Sequence, residues 1–154
     1  GIEIQNSGHD NNYENFSQKQ IISTQKLLRY LIGKYNINLR NVLGHSDISP
    51  DRKKDPGEKF PWKKLAKSNL SQWHNLNEKK LKEKRLIKLN FIEETDLMKN
   101  LYKIGYCKIL KKNSISQKRI LIKAFQRRFR QELVNGIIDQ ECLKISENLR
   151  KKFN

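Results

Sequence analysis

Cysteine and proline are scarce in this 154-residue chain, at two and three residues, and 16 acidic side chains face 33 lysines and arginines. The two cysteines, Cys107 and Cys142, show no CxxC pattern, so paired-thiol metal or redox spacing is excluded. They read as small apolar thiols in a core, with a disulfide as the alternative. No apolar run approaches the ~20 residues of a membrane-spanning helix. With 36% hydrophobic residues and a mean hydropathy of −0.86, any core is modest, and the length suits one or two small domains.

The shortage of acid leaves a net charge of +17 and a pI near 10.0. Such a balance raises polyanions as partners, either nucleic acid or anionic wall polymers. The basic groups, at 52–54, 79–85, 111–112, 127–130 and 150–152, are spread along the chain. Lysine, isoleucine and asparagine are abundant throughout, which supplies a compositional origin for the charge. Neither a zinc-finger spacing nor an RNA-stacking aromatic motif occurs, so no specific nucleic-acid partner is expected.

Residues 1–5 alternate as a strand does, with Ile2 and Ile4 on one face and Glu3 on the other. Ser17-Gln18-Lys19-Gln20 has the capping-box pattern and opens a helix whose apolar face carries Ile21, Thr24, Leu28 and Leu31. That helix is expected to end between Gly33 and Tyr35. Asn41-Val42-Leu43 reads as a short buried strand delivering His45 at its exit. Trp62, Leu65 and Ala66 read as a short helix closing a first domain. Residues 75–90, rich in Lys, Glu and Asn, read as a charged helix or linker. Three helices are expected beyond it. Thr95 caps one with Leu97, Met98, Leu101 and Ile104, stopped by Gly105; Ser116 caps one with Ile120, Leu121, Ala124, Phe125 and Phe129; Asp139 caps one with Cys142, Ile145, Leu149 and Phe153.

The densest chemistry lies in Gly44-His45-Ser46-Asp47-Ile48-Ser49-Pro50-Asp51-Arg52-Lys53-Lys54-Asp55-Pro56-Gly57. Two of the prolines stiffen this loop and a glycine ends it. His45 and Asp55 are of the residue types zinc takes as ligands, and a catalytic zinc uses three protein ligands with one open position. Lys53 offers positive charge to an oxyanion formed during hydrolysis. His9, in a polar stretch, and His74, beyond Trp73, read as solvated histidines rather than ligands.

The run resembles the GHSDIAPGRKxDPG signature of the zinc-dependent N-acetylmuramoyl-L-alanine amidases of the type-2 group, which share a fold with peptidoglycan recognition proteins. Phe60-Pro61-Trp62 matches that family's FPW, Gly1-Ile2-Glu3-Ile4 its GIEI strand, and Gln20 its helix-start glutamine. The resemblance implies a mixed α/β fold over residues 1–75, with zinc on His45 and Asp55, Glu3 orienting or deprotonating the water, and Lys53 on the oxyanion. The bond cut would join the lactyl group of N-acetylmuramic acid to L-alanine of the stem peptide. In that family the first zinc histidine lies upstream of the GIEI strand. The expectation is therefore the C-terminal part of a longer enzyme, with one ligand lacking. Asp51 stands where the family has glycine, and Ser49 where it has alanine.

Residues 91–154 resemble the peptidoglycan-binding domain found beside many wall hydrolases. Leu101-Tyr102-Lys103-Ile104-Gly105-Tyr106, Ala124-Phe125-Gln126-Arg127-Arg128-Phe129-Arg130 and Asn135-Gly136-Ile137-Ile138-Asp139 carry the match. The implied organisation is an incomplete α/β amidase domain over 1–75, a charged linker or helix over 76–90, and a small all-α three-helix bundle over 91–154. Peptidoglycan or muropeptides are the implied partners, and the cell envelope, periplasm or outer membrane, is the implied location. The other reading is a catalytically inactive remnant that still binds the wall.

Overall fold

Ser17 accepts the Gln20 backbone N–H at 3.2 Å, and the Gln20 side chain accepts the Ser17 N–H at 2.8 Å. This reciprocal cap starts helix α1, Gln18–Tyr35, and Asn36 ends it in the left-handed conformation. The computed structural model describes residues 1–107 and 115–152. Phe153 and the Lys111-Lys112 pair lie outside them. The chain forms two compact units, Gly1–Trp73 and His74–Asn154.

The expected α/β fold is not what forms. Among the described residues every regular element is helical: α1, a 3-10 turn at Leu39–Asn41, α2 His45–Ile48, α3 Trp62–Lys67, α4 Glu78–Lys82, α5 Phe91–Lys103, α6 Ile115–Phe129 and α7 Gln140–Lys151. The alternation at residues 1–5 is present, since Ile2 and Ile4 pack on the core while Glu3 is exposed. A strand, however, is defined by a partner that takes its backbone hydrogen bonds. Here the Gln5 carbonyl accepts from the Gln20 side chain at 2.6 Å instead. The second expected strand fails for a local reason. Asn38 caps the backbone N–H of Arg40 at 3.1 Å and winds Leu39–Asn41 into a turn, leaving Leu43 46% exposed.

The core of the first unit joins Ile21 and Leu28 of α1 to Phe60, Trp62, Leu65 and Leu70. Gln25 reaches Ser68 at 3.2 Å. The apolar stripe of α1 thus carries the segment that follows the 44–57 loop.

In the second unit α5 packs along α7, and the buried Asn100 donates to Ser146 across them at 3.1 Å. Helix α5 starts at Phe91, earlier than expected. Asn90 and Glu93 form a capping box, while the Thr95 hydroxyl bonds the Phe91 carbonyl inside the helix at 2.9 Å. Ser116 likewise lies within α6. Asp139 caps α7, accepting the Cys142 N–H at 2.9 Å. Phe125 is fully buried with Leu97, Leu101 and Leu149. Cys142 sits in this core, whereas Cys107 lies at the surface, and both are thiols. A single core environment for the pair is therefore not formed.

Inside this unit Arg130 and Asp139 form a buried ion pair, and Arg130 approaches Glu141 at 3.5 Å. Arg85 grips Glu141 with two bonds of 2.6 and 2.8 Å and touches Glu132 at 3.2 Å. The Glu141 hydrogen bond raises the Arg85 pKa further, so the guanidinium stays charged. Gln126 ties the following turn to α6: its amide donates to the Ile137 carbonyl and its oxygen accepts the Gly136 N–H, each at 2.8 Å.

Candidate functional site

His45 opens α2, and Asp55 lies ten residues on along the same loop. His45 Nδ1 and Asp55 Oδ2 stand 2.6 Å apart, with both side chains more than half exposed. The loop is built to bring them together. The Ser46 N–H donates to the Asp55 carbonyl at 2.9 Å. The Gly44 N–H donates to the buried Asp47 carboxylate at 2.9 Å, which fixes the first turn of α2. A side chain at Gly44 would meet the Pro56 ring, so the residues flanking the pair pack on each other.

Glu3 is exposed on the extended N-terminal segment and Lys53 is exposed on the loop. The Lys53 backbone N–H bonds the Ser49 carbonyl at 2.9 Å, and the structure joins neither the Glu3 nor the Lys53 side chain to His45 or Asp55. Asp51 is 71% exposed beside Arg52, so the extra charge in place of the family's glycine faces solvent.

The two remaining histidines are not solvated as expected. His9 is half-buried, stacks on Tyr13 with ring centroids 4.3 Å apart, and places Nε2 3.0 Å from Glu58. The Glu58 partner and the Tyr13 ring remove it from water, which its polar sequence neighbours did not reveal. His74 is 7% exposed, between half-buried Trp73 and Leu76 in sequence.

Sequence reading missed Tyr13. Its hydroxyl donates to the Pro56 carbonyl at 2.6 Å and accepts the Lys59 N–H at 3.0 Å. The only signal was an aromatic residue inside an asparagine-rich loop.

The imidazole and carboxylate fit zinc by donor chemistry and by access. Their 2.6 Å spacing is that of a hydrogen bond, shorter than the ~3.3 Å expected between two donors each ~2.0–2.1 Å from a tetrahedral ion. Chelation through these two atoms would require a small opening of the pair. Among the described residues no group of three or more His, Cys, Asp or Glu side chains is placed to hold a metal ion.

Comparison with known proteins bears on the same loop. Residues 1–58 match the Amidase_2 family model, described as N-acetylmuramoyl-L-alanine amidase. The N-acetylmuramoyl-L-alanine amidase AmiD of Escherichia coli is 31% identical over 168 aligned residues, covering 99% of this chain and 57% of that protein. The 1,6-anhydro-N-acetylmuramyl-L-alanine amidase AmpD of Haemophilus influenzae is 38% identical over 69 residues, covering 44% of this chain and 35% of that one. Among solved structures, E. coli AmiD in complex with the substrate anhydro-N-acetylmuramic acid-L-Ala-D-gamma-Glu-L-Lys superposes with a TM-score of 0.79 at 31% identity, over 91% of this chain and 54% of that one. AmpDh3 of Pseudomonas aeruginosa with an anhydromuramic pentapeptide gives 0.77 at 26% identity. The chain thus spans little more than half the length of its E. coli relative.

Proposed function

We propose that the chain belongs with the N-acetylmuramoyl-L-alanine amidases, that it recognises peptidoglycan or muropeptides, and that it carries only part of an amidase centre. On this reading the chain by itself is a wall-binding polypeptide that turns over muropeptides slowly or not at all. The observation that carries the proposal is its likeness to an amidase solved with an anhydro-muramyl peptide, set against a donor pair that no third donor joins among the described residues. The second unit, with the buried AFQRRF block of α6, is the proposed wall-binding module. The proposed location is the cell envelope, periplasm or outer membrane, on the resemblance alone. No helix among the described residues is long and apolar enough to cross a membrane.

The hydrolytic reading assigns roles to the same residues. His45 and Asp55 would hold zinc, which when bound supplies Lewis acidity and a water of lowered pKa. The Glu3 carboxylate would take the proton from the attacking water, and the Lys53 ammonium would stabilise negative charge on the former carbonyl oxygen. Both side chains are exposed, so each reaches substrate only by meeting it at the surface.

Binding is tested by retention of the whole chain on purified sacculi at low and at 1 M salt, beside an equally basic unrelated protein. Exposed charges are screened within ~3 Å at 1 M salt, so charge-only adhesion disappears there. Retention that persists in salt and exceeds the control supports recognition; retention equal to the control removes it. Release of stem peptide from a muropeptide at a normal amidase rate would overturn the wall-binding reading in favour of the hydrolytic one.

A further inference from the structure

A line of aromatic side chains crosses the first unit and touches the 44–57 loop at both ends. His9 stacks on Tyr13; Tyr13 meets Phe16 edge-on at 6.5 Å, Phe16 meets Phe60 at 5.3 Å, and Phe60 meets Trp62 at 4.8 Å. At the inner end the Trp62 ring lies against Gly44, the residue before His45. At the outer end the Tyr13 hydroxyl bridges the Pro56 carbonyl and the Lys59 N–H, across the turn that follows Asp55.

We propose that Tyr13 is a positioning residue for Asp55, and that its hydroxyl, through the Pro56 carbonyl, keeps the carboxylate facing His45 so that a small opening of the pair admits a shared metal ion. The proposal rests on the reading of His45 and Asp55 as zinc donors. The Asp55 side chain is 57% exposed and bonded to His45, so burial does not hold it in place. Its backbone must do so, and Pro56 has no N–H to contribute. The segment is therefore fixed through two consecutive carbonyls. Ser46 N–H takes that of Asp55 at 2.9 Å, and Tyr13 takes that of Pro56 at 2.6 Å. Gly57 belongs to the same device. Its φ of +80° turns the chain back, and a Cβ there would lie 2.5 Å from the Tyr13 hydroxyl oxygen and 2.7 Å from the His9 ring. Glycine at this position is what lets Tyr13 reach the carbonyl.

A merely structural Tyr13 would anchor the 6–16 loop and leave the donor spacing alone. The two roles separate in a zinc titration of the whole chain, followed by the NMR signals of the His45 imidazole, beside its melting temperature. Tyr13→Phe keeps the ring and its stacking and removes only the hydroxyl. Tyr30→Phe, at an exposed position of α1, removes a hydroxyl elsewhere in the same unit. The expected result is zinc affinity at least ~10-fold weaker in Tyr13→Phe, the lower end of what outer-shell partners of metal ligands contribute, measured well below the melting temperature of either variant, with wild-type affinity in Tyr30→Phe. Gly57→Ala keeps Tyr13 but displaces its hydroxyl, and the same loss is expected there should Tyr13→Phe fail to fold. Wild-type zinc affinity in either folded variant overturns the positioning role. Zinc binding that survives His45→Ala overturns the donor-pair reading itself, and the positioning role with it.

Discussion

Gly44 faces the Pro56 ring so closely that a methyl group on its α-carbon would fall 2.5 Å from Cδ and 3.2 Å from the Trp62 ring. This contact joins the residue before His45 to the residue after Asp55. Gly44→Ala is accordingly expected to push the two strands of the loop apart and separate the imidazole from the carboxylate. Overpacking of this kind costs about 1–3 kcal/mol. Loss of the 2.6 Å His45–Asp55 contact, with a lowered melting temperature, is the expected result in a structure and melting curve of the variant. An unmoved pair would show that the ring can give way.

Zinc affinity should divide the proposed site residues into two groups. His45→Ala and Asp55→Ala are expected to abolish zinc binding because they remove donor atoms. Glu3→Ala and Lys53→Ala are expected to spare it, since neither side chain is bonded to His45 or Asp55. Where a form of the protein hydrolyses muropeptides, Lys53→Ala should lower the rate by about 10²–10³, the effect of losing one oxyanion-stabilising group. Metal analysis after dialysis and single-turnover rates check both halves. Zinc lost in Glu3→Ala would make that carboxylate a ligand.

Arg130 holds two buried carboxylates, those of Asp139 and Glu141, at 1% side-chain exposure. Arg130→Met is expected to destabilise the second unit by roughly 3–5 kcal/mol, because it leaves buried negative charge without its partner. Urea unfolding of the variant measures this. A loss below about 1 kcal/mol would mean that Arg85 on Glu141 and the Leu86 and Cys142 N–H groups on Asp139 are enough to hold the two carboxylates.

Acid should loosen the second unit. The hydrogen bond from Lys82, and then that from Arg85, holds the Glu132 carboxyl below its ordinary 4.5; the Asn90 backbone N–H, and then Gln140, do the same for Glu93. A lowered folded-state pKa means that the unfolded chain binds the proton first. The stabilisation is fully present above about 4.5 and is lost as pH falls through the folded-state values. Urea midpoints should decline in that window, and Glu132→Gln should flatten the decline. An identical slope in Glu132→Gln would remove this group as a contributor.

The two thiols should react at very different rates. Burial pushes the Cys142 thiol up to about 12, whereas Cys107 is exposed. An alkylating reagent attacks the thiolate, so one equivalent per chain is expected to react under native, mildly alkaline conditions and a second only in denaturant. Mass spectrometry of the labelled peptides reads the result. Native labelling of Cys142 would mean that the α6–α7 core opens readily.

The parts of the fold legible in the sequence are those whose partners lie within a turn or two. Ser17 with Gln20 and Asp139 with Cys142 are three residues apart, and their caps form as read. Asn90 was passed over for Thr95, although Glu93 completes a capping box for Asn90 and adds a full turn to α5. The strands were misread because alternation reports which face is buried and says nothing of a pairing neighbour. At the candidate site His45 and Asp55 were legible as residue types on one short loop. Tyr13 was not, since the carbonyl that gives it meaning lies 43 positions away.

The Gln126 clasp bears on the chemical ageing of the molecule. Asn135-Gly136 is the kind of step at which an asparagine side chain cyclises, through attack of the next backbone nitrogen on its amide carbon, and then loses ammonia. Here the Gly136 N–H is committed to Gln126 at 2.8 Å, and the Asn135 oxygen is held by Arg130 and by the Ile137 N–H at 3.0 Å each. Nucleophile and target are each held by another partner while α6 and its turn stay folded. Deamidation at Asn135 therefore serves as a clock for how long the second unit has spent open.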